Sequence, residues 1–532
     1  MRTARLFSLA VASMAALGAA AANPILPLWE HIPDGEPYVF DDPDNPGKKR
    51  VYLYGSHDML RTQYCGTDLV VWSASTDSLD NWRYDGVIFE SVNGPDGKPL
   101  NDDGRPDVLF APDVAEVTLP SGKKEYYLYP NNQAGGRNGM AARSDRPDGP
   151  FTVINWSKTD PRLTDGVLQF DPAVFVDDDG RVYGYWGFCN SYAGELDPTT
   201  MATLKPGTEV ITDLIPSKDQ DKTYRFFEAS SMRKIDGKYV LIYSRWTADG
   251  DFGLPQSNYT LAYAYSDNPL GPFTYGGTII DGRGRDTDAD GKVIPTATPT
   301  GNTHGSICEI NGKWWVFYHR QSGTDEFSRQ AMVAPIEVSV EPGPGGKVTI
   351  TEGEYTSEGF ETSGLNPLQR YPAAIASHYT GPTPAYQAYP GMHYSGSYFQ
   401  PTYVADHAIA DPYNDAINMN PVVNNTSGSI LGYKYYNFDL LDRTKPVSLV
   451  LDLIPEGIDG VIDVYTSAPW KGNPKSIGQI RLTKDMPKAS TKAGCTLSGT
   501  DTLTGKHPLY LVFTSPTEGK SICTITHLQF KQ

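Results

Sequence analysis

Three carboxylates in this 532-residue sequence stand where they could move protons. Glu228 falls in Tyr224-Arg-Phe-Phe-Glu-Ala-Ser-Ser-Met-Arg-Lys234, directly behind two phenylalanines and ahead of the strand-like run from Lys238 to Tyr243. A carboxyl held against aromatic surface loses hydration of its charged form, so it keeps its proton nearer neutral pH and can serve as an acid. Asp34 lies in His31-Ile-Pro-Asp-Gly-Glu-Pro37, and Asp171 in Gln169-Phe-Asp-Pro-Ala-Val-Phe175. Taken singly, each reads as a solvated strand end, the ordinary place for an acidic side chain. Three at corresponding places in a repeated unit could share one pocket.

The repeat that would position them is visible. Between Asn23 and residue 365, short aromatic strands recur as Val51-Tyr-Leu-Tyr, Tyr126-Tyr-Leu-Tyr, Val182-Tyr-Gly-Tyr-Trp, Tyr239-Val-Leu-Ile-Tyr and Trp314-Trp-Val-Phe-Tyr. Three of these follow turn chemistry: Gly180-Arg181, Gly237-Lys238 and Gly312-Lys313. A second repeat pairs Ala142-Arg-Ser-Asp-Arg-Pro-Asp-Gly-Pro-Phe151 with Ala264-Tyr-Ser-Asp-Asn-Pro-Leu-Gly-Pro-Phe273. Five units of roughly 55 to 75 residues, with almost no helical periodicity, predict a five-bladed β-propeller over residues 23–365. Its innermost strands would converge on one channel, which the three acids would face.

Residues 366–532 differ in character. A stretch rich in Pro, Tyr, Gly and Ser reads as a linker. Alternating segments such as Ser448-Leu-Val-Leu-Asp-Leu-Ile454 and Gly460-Val-Ile-Asp-Val-Tyr465 then predict an antiparallel β-sandwich, so the whole chain is expected to be all-β. Residues 1–22 carry Arg2, Arg5 and an apolar run ending in small residues, the pattern of a cleaved secretory signal. No later stretch approaches a membrane span. A net charge of −18 argues against a nucleic-acid partner. The 33 Tyr and 9 Trp supply flat rings on which sugar faces can stack. Of the five cysteines, Cys495 and Cys523 are the expected disulfide pair, while Cys65, Cys189 and Cys308 are left open. Asn155, Asn258, Asn424 and Asn425 head glycosylation sequons.

Motifs in order along the first domain resemble glycoside hydrolase family 43, the five-bladed propeller enzymes of arabinose- and xylose-containing polysaccharides. They are Asn23-Pro-Ile-Leu-Pro with the following Pro-Asp, Phe110-Ala-Pro-Asp113, Phe170-Asp-Pro-Ala, Glu228-Ala-Ser and Thr303-His-Gly-Ser. The resemblance implies that Asp34 is the general base, Glu228 the general acid and Asp171 the residue that tunes the acid by repulsion and orients the sugar. It implies further that His304 lies on the propeller axis beside a structural Ca²⁺ or a water. Phe110 would offer its ring to the sugar, and Arg329 would contact sugar hydroxyls. Trp72, Asp58 and His57 are further candidates for the pocket wall. No organic cofactor is implied, and a monomer is expected.

Two departures stand out. Ile-Pro-Asp-Gly-Glu-Pro at the base makes Glu36 a rival to Asp34, and Ala229 follows the acid where glycine is frequent. The C-terminal part resembles carbohydrate-binding module family 6 through Gly432-Tyr-Lys-Tyr-Tyr-Asn-Phe438 and Ile525-Thr-His-Leu-Gln-Phe530, with Trp470 and Tyr435 as candidate sugar platforms. The function expected from this resemblance is a secreted, inverting, exo-acting α-L-arabinofuranosidase on plant cell-wall polysaccharide. β-Xylosidase, endo-arabinanase and a catalytically silent sugar-binding propeller are the alternatives. The Asp/Gly-rich loops 90–106 and 281–300 are the expected walls of an exo-type pocket.

Overall fold

Four-stranded antiparallel sheets follow one another along the first two thirds of the chain in a computed structural model, which describes residues 22–60, 62–91, 107–132, 137, 139–160, 162–297, 302–382, 384–389, 392–404, 414 and 417–532. Blade I is built from Glu36–Asp41, Lys49–Tyr54, Asp68–Ser75 and Arg83–Glu90, in order from the axis outward. Phe110–Thr118, Ala173–Val176 and Phe226–Ile235 are the innermost strands of blades II, III and IV. Blade V has three strands, Ser306–Ile310, Lys313–Gln321 and Arg329–Ile336. The segment beginning at Asn23 runs beside the last of them: Ile25 N donates to Ala331 O at 3.1 Å, and Val333 N donates to Asn23 Oδ1 at 2.9 Å. This segment thus covers the edge of blade V that would otherwise stay open. The fold is a five-bladed propeller followed by a β-sandwich.

The five aromatic segments are the second strands of their blades. Both faces of such a strand pack against neighbouring blades, which explains their lack of polar alternation: Val51, Tyr52, Leu53 and Tyr54 are all fully buried. Ring closure brings the inner strands of blades I and V together at a parallel bridge, Gly35 to Gly305. A Cβ on Gly305 would lie 1.9 Å from Phe317 O, so this approach requires glycine.

One arginine plugs the channel below this point. Arg233, in the inner strand of blade IV, donates to Glu36 Oε2 at 2.9 Å, Pro37 O at 3.2 Å and Ile307 O at 3.0 Å, with its guanidinium 4.5 Å from the Tyr38 ring centre. Tyr38 hydroxyl in turn donates to Asp113 Oδ1 at 2.7 Å, and Asp113 Oδ2 accepts from Val174 N at 2.6 Å. Those contacts join all five blades.

The sandwich pairs one sheet containing Ser448–Pro455, Thr491–Thr496 and Cys523–Lys531 with another containing Ile430–Asn437, Gly460–Tyr465, Gly478–Leu482 and Lys506–Thr514. The stretch read as a linker supplies strands to both, Tyr371–Pro372 to the first and His378–Thr380 to the second. Sandwich and propeller share one apolar core, in which Val316, Tyr318 and Met332 of blade V pack with Leu365, Tyr371 and Tyr433. Arg320, in blade V, reinforces it by donating to Ala374 O at 2.6 Å and Ala376 O at 3.0 Å.

Several expectations change here. Cys495 and Cys523 are both free, because they pair with opposite ends of one strand: Cys495 faces Leu449 and Cys523 faces Pro455. The 281–297 segment folds into a hairpin, Arg285–Thr287 with Val293–Pro295, that turns to the sandwich instead of the channel. Lys471 pairs with Asp286, and Tyr379 N donates to Thr296 O at 2.9 Å. Residues 92–106, most of the other expected wall, lie outside the described residues, as do residues 1–21 of the leader. Among the described residues no helix is long and apolar enough to cross a membrane.

Candidate active site

Each blade sends the start of its innermost strand to one cavity of about 290 Å³: Asp34 from blade I, Phe110 and Ala111 from II, Asp171 from III, Glu228 from IV and His304 from V. The backbone at these entries is bent into the left-handed region, with φ of 59° at Asp34, 23° at Ala111, 47° at Asp171 and 68° at Ala229. Non-glycine residues adopt such angles only where the surroundings impose them, and functional sites are where they gather. Here the bend turns the side chains out of the blade plane into the channel mouth.

Asp34 is 4% exposed and heavily bonded. Arg329 Nη1 donates to its Oδ1 at 3.0 Å and Ser56 hydroxyl to its Oδ2 at 2.6 Å. Burial alone would raise this carboxyl, but Arg329, His304, His319 and Ser56 together hold it below the ordinary aspartate value. His319 takes Asp34 N–H on Nδ1 at 3.3 Å, and its Nε2 lies 2.9 Å from Asn302 O. Accepting on one nitrogen and donating on the other defines a neutral ring, in keeping with a pKa lowered to about 4 by burial.

Glu228 has the opposite setting. Burial pushes its carboxyl up to about 8; Asn302, whose Nδ2 donates to Oε1 at 3.2 Å, and Arg329 oppose the rise, and the Asp34 charge adds to it. Asp34 supplies repulsion that the sequence pointed to Asp171 for. Phe226 and Phe227 face opposite ways, as alternation demands. Phe226 is in the core against Tyr243, whereas Phe227 lines the cavity beside Phe188, 5.2 Å between ring centres. A carboxylate below its ordinary range and a carboxylic acid above it, in one cavity, form a base and an acid ready at neutral pH.

The family profile of Glycosyl hydrolases family 43 matches residues 41–341. This chain is a family 43 glycosyl hydrolase. It is 34% identical over 385 residues to a protein named Xylosidase/arabinosidase from Thermoclostridium stercorarium, covering 66% of this chain and 71% of that one. It is 32% identical over 330 residues to Xylosidase/arabinosidase 43A from Humicola insolens, covering 53% and 88% respectively. A family 43 arabinoxylan arabinofuranohydrolase from Bacillus subtilis, solved in complex with cellotetraose, aligns with 97% of this chain and 98% of its own at 21% identity and a TM-score of 0.44.

Within this family 43 enzyme, other expected wall residues lie elsewhere. Trp72 is on the third strand of blade I, two strands from the axis; it is fully buried, and its Nε1 donates to Glu30 Oε2 at 2.7 Å. His57 lies between Asp68 at 2.8 Å and Glu30 at 3.2 Å, and although burial opposes its charge, these carboxylates raise it to about 10. Asp58 sits behind the wall, where it grips Arg329. Arg329 lines the cavity, yet its donors point at protein partners: Asp58 Oδ2, Asp34 Oδ1, Asn302 Oδ1, Asp58 Oδ1 and Cys65 Sγ. It holds Asp34 in place, and its five donors are taken by protein groups. Glu36 does not line the cavity, because its carboxyl is bound deeper on the axis by Arg233 and Ser231.

His304 lines the cavity, with Nδ1 3.7 Å from Asp171 Oδ2 and 4.0 Å from Asp34 Oδ1. Burial lowers its pKa to about 4, so the ring is neutral. A cation beside His304 would have to take most of its ligands from waters and carbonyls. Calcium favours six to eight oxygens, Asp34 is engaged by Arg329 and Ser56, and among the described residues no three His, Cys, Asp or Glu side chains converge on a metal position.

Asn302, Phe188, Tyr64, Asn258 and Glu326 also line the cavity and were missed. Asn302 had a local signal, standing directly before Thr303-His-Gly-Ser. Asn258 had a misleading one: its sequon side chain belongs to the cavity wall. In the sandwich, Trp470 stacks on His378 at 4.7 Å between ring centres, and Tyr435 hydroxyl donates to Glu354 at 2.8 Å, so both candidate platforms are engaged in packing.

Proposed function

We propose that this family 43 hydrolase is a secreted, inverting, exo-acting α-L-arabinofuranosidase on xylan- and arabinan-type polysaccharides or their oligosaccharides, with β-xylosides as second substrates. The observation that carries this reading is the pairing of an ionised Asp34 with a protonated Glu228 across one cavity. Asp34 takes a proton from a water as that water attacks the anomeric carbon. Glu228 gives its proton to the departing glycosidic oxygen on the other side. Attack and departure on opposite faces invert the anomeric configuration, which requires carboxyls about 6.5–9.5 Å apart with the water between them. Asp171 beside His304 is placed to orient the sugar.

The cavity volume of about 290 Å³ sits at the small end of ligand pockets, about 300–1,000 Å³. That favours a single terminal sugar, hence exo action. The name Xylosidase/arabinosidase carried by the two relatives supports both pentoses as substrates. Leaving-group binding belongs on the Glu228 side, where Phe170, Phe188 and Phe227 are spaced at 4.8 and 5.2 Å between ring centres and Phe188 is 48% exposed at the rim. Such a ring can pack against the C–H face of the next sugar. The sandwich acts as a buttress to blade V, and export follows from the leader at residues 1–22.

A product profile on arabinan, arabinoxylan and xylan, with proton NMR of the first-formed anomer, tests the proposal. Release of single arabinose or xylose units with inverted configuration is expected. Oligosaccharides as first products would remove exo action, and a retained anomer would remove the base role of Asp34.

A further inference from the structure

The second and third strands of blade V, Lys313–Gln321 and Arg329–Ile336, are joined by a turn carrying Glu326. The turn is stapled at its base: Ser322 hydroxyl donates to Ser328 O at 2.8 Å, and Ser328 hydroxyl donates to Ser322 O at 2.7 Å. Asp325 Oδ1 accepts from Phe327 N at 2.9 Å, and the Phe327 ring meets Tyr64 edge-on at 5.2 Å between centres. Gly323 N donates to Phe399 O of the sandwich at 2.6 Å, so the turn is anchored from outside as well. Glu326 is therefore held in place rather than sampling solvent, and its side chain is 2% exposed at the cavity wall.

Its Oε1 has no hydrogen-bond partner among the described residues. The nearest cation does not satisfy it, since Arg329 directs its donors to Asp58, Asp34, Asn302 and Cys65. A buried acceptor without a donor destabilises the protein that carries it, and where such a group lines a cavity a bound ligand or a water completes the bond. Burial pushes the Glu326 carboxyl up to about 7; in its ionised form it only accepts, and a pentose ring offers hydroxyl donors and no cation. Among the cavity residues, Asn302 is already occupied at both ends by Glu228 and Arg329. Glu326 thus offers the sugar an unpartnered acceptor on the cavity wall, in addition to Asp171.

We propose that Glu326 is a sugar-binding residue whose carboxyl accepts a hydrogen bond from a ring hydroxyl of the pentose held in the cavity, and so sets which pentose is accepted. The inference rests on the pentoside reading above. It is tested in the full chain with Glu326→Ala and Glu326→Gln, using nitrophenyl α-L-arabinofuranoside, nitrophenyl β-xyloside and analogues lacking one ring hydroxyl at a time.

Glu326→Ala should lower kcat/KM on the fully hydroxylated sugar by about 10- to 150-fold, the range of a hydrogen bond to a charged group. On the one analogue that lacks the contacted hydroxyl, wild type and variant should be equal. Glu326→Gln should fall between, since its amide oxygen still accepts. Thermal unfolding should show the variant at least as stable as wild type. Unchanged kinetics, or an equal loss on every analogue, would overturn the assignment. A wild type that hydrolyses no pentoside would overturn the pentoside reading itself and this inference with it.

Discussion

Asp58 grips Arg329 through three hydrogen bonds, accepting from its backbone N at 3.0 Å, Nε at 2.9 Å and Nη2 at 2.9 Å, and the remaining arm of the guanidinium then meets Asp34 at 3.0 Å. Asp34 is thereby oriented by a residue that does not line the cavity. Both partners are almost fully buried. Asp58→Asn leaves a buried cation with one counter-charge, and unfolding free energy should fall by about 3–5 kcal/mol in denaturant titration. Turnover should fall with it, because Arg329 is no longer held against Asp34.

Opposite shifts of the two acids define a pH profile. Asp34 works ionised and is held below its ordinary value, so kcat/KM should fall only at pH below the usual aspartate range. Glu228 works protonated, so activity should fall as pH rises through about 8. In Arg329→Gln the cation is gone while burial remains, and the acid limb should move upward by a readily measured amount. An acid limb unmoved in that variant would show that Arg329 does not govern Asp34.

The roles of the two carboxyls separate by leaving group. Glu228→Gln should lose about 10²–10⁴-fold on a pentose disaccharide, whose leaving oxygen needs a proton. On a dinitrophenyl pentoside, whose leaving group departs unprotonated, the loss should be far smaller. Asp34→Asn should lose heavily on both, since water activation is needed in either case. Equal losses for Glu228→Gln on the two substrates would remove its role as acid.

The axial plug predicts stability without chemistry. Arg233→Met leaves Glu36 and Asp113 without the cation that faces them, and about 3–5 kcal/mol should be lost on unfolding. Hydrolysis by the protein that remains folded should be unchanged, since Arg233 does not line the cavity. This contrasts with Asp58→Asn, in which stability and turnover fall together.

Much of the architecture was legible from local pattern. Gly-Lys turns and β-branched or aromatic runs depend on a few adjacent residues, so the second strand of every blade and sandwich strands such as Gly460–Tyr465 were placed to within three residues. Pairing partners are not local. Cys495 and Cys523 looked joinable by region, yet strand register sets them at opposite ends of one neighbour. Trp72 was a candidate for the pocket wall by type, yet its strand lies inside blade I.

By itself the sequence determined that three acids, Asp34, Asp171 and Glu228, recur at blade starts, because the repeat that carries them is written in turns and strand periodicity. Only tertiary structure decided what those acids are. Asp34 is charged because Arg329 arrives from 295 residues away, and Glu228 keeps its proton because closure of the ring buries it beside the charge of Asp34. Charge state follows from burial and partners brought together by closure, and neither quantity is a property of a residue's neighbours in the chain.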